Sequence, residues 1–207
     1  MAGIPICIGM TIGLYDTSID TLNLNDTMKT EIAIFGGGCF WCTEAIFKEL
    51  RGVLSVTPGY AGGSMARPTD EDVSGGITSH AEVIRIEFDP SIIPYHDLLD
   101  IFMYMHDPTT PNQQGNDVGT QYLSIILYTS EAQHSEVQSF IQELQSTEEF
   151  IHREIVTELQ PFADFIEAEN YHKDYYAKNE SQHYCQIVIS PKLAKLRAKY
   201  KKILKNV

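Results

Sequence analysis

Apolar and polar residues alternate with two different periods along the chain, and each period predicts one type of element. Strand side chains point alternately to opposite faces, whereas an amphipathic helix repeats its apolar positions every three or four residues. Short apolar or alternating runs predict strands at 31–35, 53–56, 80–88, 121–129 and 154–159. Helical spacing predicts helices at 40–50, 95–106 and 130–145. A further strand-like run lies at 186–189.

The end of the chain predicts one more helix. Leu193, Leu196, Tyr200 and Leu204 recur at helical spacing after Pro191, and lysine and arginine fill many of the positions between them. We expect this helix to pack its apolar face against an acidic body. A basic helix that binds a membrane or nucleic acid is the alternative.

These elements favour one fold class. Helices and strands alternate imperfectly, and the glycine-rich segment 59–79 is too long to be a simple connection. We therefore expect an α+β fold, a two-layer α/β sandwich with a ferredoxin-like core, long loops and a C-terminal helix. A doubly wound parallel sheet would require a more regular alternation.

The first 27 residues differ from the rest, since they contain no lysine or arginine and no clear period. A secretory signal needs a basic segment before its apolar stretch, and none is present. We expect residues 1–27 to be a poorly ordered extension and residues 28–207 to be a single catalytic domain. Met28, where the clear pattern begins, is a possible alternative start.

Composition excludes several classes of protein. With 43% hydrophobic residues the 207-residue chain can bury a core, and its formal charge of −13 is unsuited to a general nucleic-acid binder. No apolar run approaches the roughly 18 residues of a membrane helix. Four cysteines are too few for a disulfide scaffold and indicate a reducing compartment. We expect a cytoplasmic monomer that binds neither nucleic acid nor membranes.

The most informative chemistry lies around Cys39. Three glycines precede this residue and place it at the first turn of a predicted helix, where unpaired N–H groups favour a thiolate and lower its pKa. Cys42 follows three residues later on the same face, so a disulfide is geometrically possible. Buried, unreactive cysteines or half of a zinc site are alternatives. No second cysteine pair or close histidine pair completes four ligands, so we expect no metal.

The segment Gly38–Glu44, with sequence GCFWCTE, resembles the active-site motif of the A-type peptide methionine sulfoxide reductases. It matches the variant with a second cysteine where many members have glycine. Further matching segments follow in order at 59–63, 80–82, 106–110, 114–122, 171–176 and 184–186. The resemblance covers roughly residues 29–200. It implies reduction of methionine S-sulfoxide, free or in proteins, without a cofactor and with recycling by a thioredoxin-like reductant.

The resemblance also implies roles for individual residues. Cys39 attacks the sulfoxide sulfur and becomes a sulfenic acid, and Glu82 acts as the acid. Phe40 and Trp41 form the pocket for the S-methyl group. The apolar neighbours of Glu82, Ala81 and Val83, predict a raised pKa for its carboxyl. Two further residues match positions that hydrogen-bond around the sulfoxide: Asp117 and Tyr122.

The chain departs from the family at one implied hydrogen-bond donor. Asp70 follows Pro68-Thr69 where members usually carry tyrosine, so the donor is missing, replaced by Asp70, or supplied by Tyr60.

The resolving cysteine, which converts the sulfenic acid to a disulfide, is either Cys42 or Cys185. The strand-like run after Cys185 differs from the flexible tail of members that use this position, which favours Cys42. Cys7 lies in the extension, and we expect it to be incidental.

Two other functions compete with this interpretation. The first is a thioredoxin-like disulfide oxidoreductase using Cys39 and Cys42, although that leaves the later matching segments unexplained. The second is a non-enzymatic thiol or metal-binding protein. Reduction of a disulfide substrate without any sulfoxide would indicate the first alternative. Stoichiometric bound zinc would indicate the second.

Overall fold

The computed structural model describes residues 30–205. The expectations for the extension 1–27, for Cys7 and for Met28 fall outside the described residues.

The described chain contains eight strands and six α-helices. The strands are β1 (Glu31–Gly37), β2 (Val53–Ala61), β3 (Ala81–Phe88), β4 (Gln113–Gln114), β5 (Asp117–Val118), β6 (Ser124–Tyr128), β7 (Glu158–Pro161) and β8 (Ile166–Glu167). The helices are α1 (Phe40–Lys48), α2 (Asp70–Ser74), α3 (Tyr95–Met105), α4 (Glu131–Gln145), α5 (Tyr175–Lys178) and α6 (Ser190–Lys199). Short 3₁₀ turns cover Thr120–Tyr122 and Lys201–Ile203, and a π-helical turn covers Cys185–Ile189.

Six strands form one mixed sheet in the order β7-β6-β1-β3-β2-β8. Neighbouring strands are antiparallel, except for β6 and β7, which run parallel. The two shortest strands, β4 and β5, pair with each other outside this sheet. In the register of β2 with β3, Tyr60 lies opposite Glu82. The described chain is therefore a mixed α and β structure, as expected at this level of detail.

The two faces of β1 are buried in different apolar clusters. Ala33 and Phe35 contribute to the main core with helices α1, α3 and α6, and Phe35 stacks on Phe102 of α3 at 4.8 Å between ring centroids. Ile34 points to the opposite face and joins a smaller cluster that includes Val83. Because both faces are covered, β1 is buried from Ala33 to its end.

Most predicted elements are confirmed, with ends shifted by a few residues. Helices α1, α3 and α4 and strands β1, β2 and β3 lie where the periodicity placed them. The strand predicted from residue 121 starts only at Ser124, since a 3₁₀ turn precedes it. The strand predicted at 154–159 forms at Glu158–Pro161 instead. Segment 59–79 is not one loop, because β2 continues to Ala61 and α2 follows.

The strand predicted at 186–189 is wrong. Cys185–Ile189 is a π-helical turn that runs directly into α6. Cys185 and Ile189 are both fully buried, whereas Ile187 between them is 58% exposed. In a strand these three side chains would share one face, so only a helical repeat buries the outer two together.

The expected C-terminal helix is confirmed, and it packs against the body. Leu193 and Leu196 lie in the main core, while Arg197 donates from Nε to Glu49 Oε2 at 2.9 Å. Lys195 Nζ donates to the backbone oxygen of Tyr104 at 2.7 Å. None of the helices within residues 30–205 has the length and apolar character needed to cross a bilayer.

We predict that Leu196→Ala destabilises the protein by about 2–5 kcal/mol, because it leaves a cavity where a fully buried side chain had packed. Leu54→Ala is the matched control, since Leu54 is 46% exposed, and it should change the free energy of unfolding by less than about 1 kcal/mol. Urea denaturation followed by circular dichroism measures both. Equal effects would mean that α6 is not part of the core.

Candidate active site

The end of β1 and the start of α1 place Cys39 in the core. Gly36 and Gly37 belong to β1 rather than to a loop, so the turn itself is made at Gly38, whose φ is +85°. A Cβ atom on Gly38 would lie 2.6 Å from Cβ of Gln114, so a larger residue would collide with that side chain. Cys39 is the N-cap residue of α1 and is 7% exposed.

Cys42 lies beside Cys39 on the first turn of α1. The Cys42 backbone N–H donates to the Cys39 carbonyl oxygen at 3.1 Å, and both thiols are free and buried. Cys42 Sγ lies 3.8 Å from the hydroxyl of Tyr184. That hydroxyl donates to Asp117 Oδ2 at 2.7 Å, so Asp117 is connected to the thiol pair through Tyr184.

The electrostatics of the two thiols differ from the expectation for Cys39. Burial raises the pKa of Cys39 well above its usual value, and the charges of Cys42 and Glu82 add to this effect. The expected lowering is therefore wrong, because burial among anions outweighs the helix N-terminus. The pKa of Cys42 is lowered to about 7, chiefly by a hydrogen bond from Cys39 and secondarily by the charge of Lys192. The two pKa values therefore shift in opposite directions, upward for Cys39 and downward for Cys42.

Glu82 on β3 faces the start of α1. Its Oε2 accepts the Phe40 backbone N–H at 2.9 Å, and the side chain is buried. Burial raises the pKa of Glu82 to about 8, helped by the negative charges of Asp70 and Asp117, although the Phe40 hydrogen bond opposes the shift. The expected raised pKa is confirmed. Near neutral pH this carboxyl holds a proton one residue away from Cys39.

Aromatic rings surround this corner of the molecule. Trp41 stacks on Tyr175 with ring centroids 3.6 Å apart and an interplanar angle of 5°, and its indole N–H donates to His172 Nδ1 at 3.0 Å. The Phe40 ring is buried, with its centroid 5.8 Å from that of Tyr60 and 4.9 Å from that of His172. These contacts hold the rings of Phe40 and Trp41 in fixed orientations.

Tyr122 lies close enough to Cys39 and Glu82 for their charges to shift its pKa. Burial raises the pKa of Tyr122 above its usual value, and the charges of Glu82 and Cys39 raise it further. Its side chain is half-buried, at the end of the 3₁₀ turn that precedes β6. The structure therefore brings Cys39, Cys42, Glu82, Asp117 and Tyr122 into one neighbourhood.

Tyr60 and Asp70 are linked through a third residue. The Tyr60 hydroxyl donates to Glu169 Oε2 at 3.0 Å, and Glu169 Oε1 accepts the Asp70 backbone N–H at 3.1 Å. The Asp70 carboxylate in turn accepts the Tyr171 hydroxyl at 3.0 Å. The Tyr60 hydroxyl proton is thus directed toward Glu169, although its ring contacts Phe40.

Cys185 is buried at the start of the π-helical turn. Burial raises the pKa of Cys185, and the charge of Cys42 raises it further. Cys185 is therefore within electrostatic range of Cys42. Of the two candidate partners for Cys39, Cys42 is the one that shares a helical turn and a backbone hydrogen bond with it.

The residues that contact the site or act on it by charge include some without a predicted role, among them His172, Tyr184 and Lys192. The first two lie in the matching segments 171–176 and 184–186. Their aromatic-rich composition was the available signal, but residues so distant from Cys39 along the chain are brought to it only by folding. Within residues 30–205 no group of three or more histidine, cysteine, aspartate or glutamate side chains is arranged to hold a metal ion.

The arrangement combines a nucleophile, an acid and an apolar wall. A sulfur that can lose its proton to its neighbour lies beside a protonated carboxyl, and rigid rings exclude water from one side. Such a site can attack an electrophilic atom while protonating the oxygen bound to it.

Comparisons with known proteins agree with one another. The sequence model of the family described as peptide methionine sulfoxide reductase matches residues 31–204. The peptide methionine sulfoxide reductase MsrA of Saccharolobus solfataricus is 55% identical over 165 residues, which is 80% of this chain and 92% of that protein. The protein of the same name from Acinetobacter baumannii strain AYE is 52% identical over 174 residues, or 84% and 98% of the two chains.

Solved structures also match. The crystal structure of Mxr1 from Saccharomyces cerevisiae in reduced form has a TM-score of 0.69 at 32% identity, covering 77% of this chain and 91% of that one. Methionine sulfoxide reductase A of Corynebacterium diphtheriae has a TM-score of 0.67 at 32% identity, covering 74% and 77% of the two chains.

We predict that thiolate absorbance in the ultraviolet rises with a midpoint near pH 7 in the reduced protein, which is the pKa of Cys42. Cys39→Ala should move this midpoint upward, because it removes the S–H group that stabilises the Cys42 thiolate. Cys185→Ala is the control and should leave the midpoint in place. A midpoint unaffected by Cys39→Ala would contradict the shared hydrogen bond.

Proposed function

The chain belongs to the peptide methionine sulfoxide reductase family, and from this premise we propose that it reduces the S epimer of methionine sulfoxide to methionine, free or in proteins. The observation that carries the proposal is the contact of Glu82 with the Phe40 backbone N–H. This contact places a buried, protonated acid beside the residue that follows Cys39. Sulfoxide reduction requires such a pair, since the oxygen is a poor leaving group unless it is protonated.

The first step uses the thiol pair and Glu82 together. Cys39 gives its proton to the Cys42 thiolate, and the Cys39 sulfur attacks the sulfoxide sulfur. Glu82 protonates the sulfoxide oxygen. The hydroxyl then moves to the Cys39 sulfur as the methionine sulfur–oxygen bond and the transient bond between the two sulfur atoms both break. The products are methionine, reduced by two electrons, and a Cys39 sulfenic acid, oxidised by two electrons. Glu82 is left ionised and regains its proton from solvent.

Substrate recognition depends on the aromatic corner. Phe40 and Trp41 enclose the S-methyl group, and the Tyr60 ring supports Phe40. Asp117 and Tyr122 hold the hydrogen-bond network around the sulfoxide. Support for their role is the position of Asp117 on the Tyr184 hydroxyl, which reaches the thiol pair. The charges of Glu82 and Cys39 also act on Tyr122.

Cys42 resolves the sulfenic acid. Its sulfur attacks the Cys39 sulfur, a Cys39–Cys42 disulfide forms, and the oxygen leaves as water. Its lowered pKa of about 7 supports this assignment, whereas burial raises the pKa of Cys185. The run after Cys185 is helical rather than a flexible tail. This also favours Cys42, and Cys185 remains the alternative. A thioredoxin-like protein then reduces the disulfide.

Several coarser features complete the proposal. The central strands β6-β1-β3-β2 are mutually antiparallel, with α1 and α3 in their connections, which supports a ferredoxin-like core in a two-layer sandwich. Residues 28–207 act as one catalytic domain, supported by the family match over 31–204. The protein works as a monomer in the cytoplasm without metal or cofactor and binds neither nucleic acid nor membranes, in keeping with its free thiols and acidic composition.

The test of the function uses separate S and R epimers of a blocked methionine sulfoxide, with dithiothreitol or thioredoxin as reductant. Rapid reduction of the S epimer alone supports the proposal. Insulin reduction without any sulfoxide is measured in parallel. Rapid insulin reduction with no sulfoxide turnover would instead favour a disulfide oxidoreductase.

We predict that Cys42→Ser still converts one sulfoxide per molecule but does not cycle with thioredoxin, because Cys39 is oxidised without being resolved. Cys185→Ser should cycle normally. Mass spectrometry after stoichiometric sulfoxide without reductant identifies the Cys39–Cys42 disulfide in the parent protein. A Cys39–Cys185 disulfide, with full cycling of Cys42→Ser, would reverse the assignment.

We also predict a narrow bell-shaped pH profile for kcat/KM. Activity should rise through pH 7 as the thiol pair loses a proton and fall through pH 8 as Glu82 loses its own. Glu82→Gln should lower the rate about 100-fold or more and abolish the fall on the alkaline side. Glu87→Gln, on the same strand, is the control and should change neither the rate nor the alkaline side of the profile. An alkaline limb that persists in Glu82→Gln would exclude Glu82 as the acid.

A further inference from the structure

His172 connects the aromatic corner to a pair of carboxylates. Its Nδ1 lies 3.0 Å from the indole nitrogen of Trp41. An indole N–H can only donate, so Nδ1 must carry no proton. A neutral imidazole then holds its single proton on Nε2.

The environment of Nε2 suits that proton. His172 is only 4% exposed, and Nε2 is buried without a hydrogen bond to any of residues 30–205. It faces Asp70 Oδ2 at 3.5 Å and Glu169 Oε2 at 3.9 Å. Close to two carboxylates, a buried N–H is more favourable than a buried lone pair, because the N–H carries the partial positive charge.

We propose that Asp70 and Glu169 are positioning residues that keep the imidazole proton of His172 on Nε2, so that Nδ1 remains free to hold the Trp41 indole. Through His172 they orient the wall of the pocket proposed for the S-methyl group.

Both carboxylates are themselves held in place. Asp70 accepts the Tyr171 hydroxyl at 3.0 Å. Glu169 accepts the Tyr60 hydroxyl at 3.0 Å and the Asp70 backbone N–H at 3.1 Å. Each thus has oxygen atoms fixed by neighbours that fold from other parts of the chain, and the face that they present to His172 is preorganised.

The other charged group near His172 acts from α1. Glu44 adds a negative charge that favours a protonated ring, but its carboxylate is occupied by Lys48 and by the Asp174 backbone N–H. Burial is the largest influence and lowers the pKa of His172 below its usual value in spite of Asp70, Glu169 and Glu44. The ring is therefore neutral at neutral pH, and the position of its one proton becomes the relevant variable.

The direct test is the tautomer of His172, read from two-bond ¹H–¹⁵N spectra of protein labelled in histidine. A His172→Gln sample assigns its signals among the seven histidines. We expect the Nε2-protonated form in the parent protein. In Asp70→Ala combined with Glu169→Ala, the ratio of the two tautomers should shift about tenfold toward Nδ1, since both negative charges that face Nε2 are gone. Glu71→Ala, an exposed acid on α2, is the matched control and should change nothing.

Trp41 supplies a second readout because it is the only tryptophan in the chain. Its emission should change in the double variant and remain unchanged in Glu71→Ala. Asp70→Asn in the parent background should retain the Nε2-protonated form, since the carboxylate of Glu169 and the partial negative charge of the new amide oxygen still face Nε2. Circular dichroism verifies that each variant is folded.

The kinetic consequence rests on the proposed function. The double variant should raise KM for methionine sulfoxide about fivefold while kcat stays within about twofold, as expected when binding of the methyl group is loosened equally in ground and transition states. A general loss of fold would instead lower kcat, so that the change would not be confined to KM.

Three results would overturn the proposal: an Nδ1-protonated His172 in the parent protein, a tautomer ratio unchanged in the double variant, or Asp70→Asn shifting the tautomer as the double variant does. The spectra need no substrate. A protein that failed to reduce sulfoxides but kept the Nε2 proton in the predicted way would contradict the proposed function and leave the positioning role intact.

Discussion

The organisation of the site depends on one buried contact, between the Glu82 carboxyl and the Phe40 backbone N–H at 2.9 Å. It joins β3 to the first turn of α1 and satisfies a helix N–H that would otherwise lack a partner. Because the carboxyl is buried to make this contact, its pKa rises to about 8. The contact thus joins the acid to the start of α1, while burial keeps the proton on Glu82 against the opposing effect of this hydrogen bond.

Burial also affects the pKa values of the two thiols. Cys39 lies at a helix N-terminus, yet burial and neighbouring anions raise its pKa, while its S–H group stabilises a thiolate on Cys42. The two sulfurs therefore function as a unit that holds one proton near neutral pH. Cys39 becomes a reactive thiolate only when its proton moves to Cys42. The attack by Cys39 and the later formation of the disulfide therefore depend on the same pair of cysteines.

Local patterns predicted much of the fold and the centre of the site. Helical spacing located α1, α3, α4 and α6, because each buries one apolar stripe in the core. The run after Cys185 misled, since four apolar residues in a row do not distinguish a strand from a buried helical turn. Three consecutive glycines likewise suggested a loop, although two of them are strand residues packed against Val83 and Phe102.

The sequence by itself determined which residues carry chemistry: the cysteine pair behind the glycines, the glutamate between apolar neighbours, and the matching segments in their order. Only the tertiary structure decided the opposite pKa shifts of the two thiols, the direction of the Tyr60 hydroxyl, and the connection of Asp70 to Trp41 through His172. The reason is that a pKa or a tautomer depends on burial and on facing charges. Those come from residues such as Asp70 and His172, which are distant along the chain and meet only after folding.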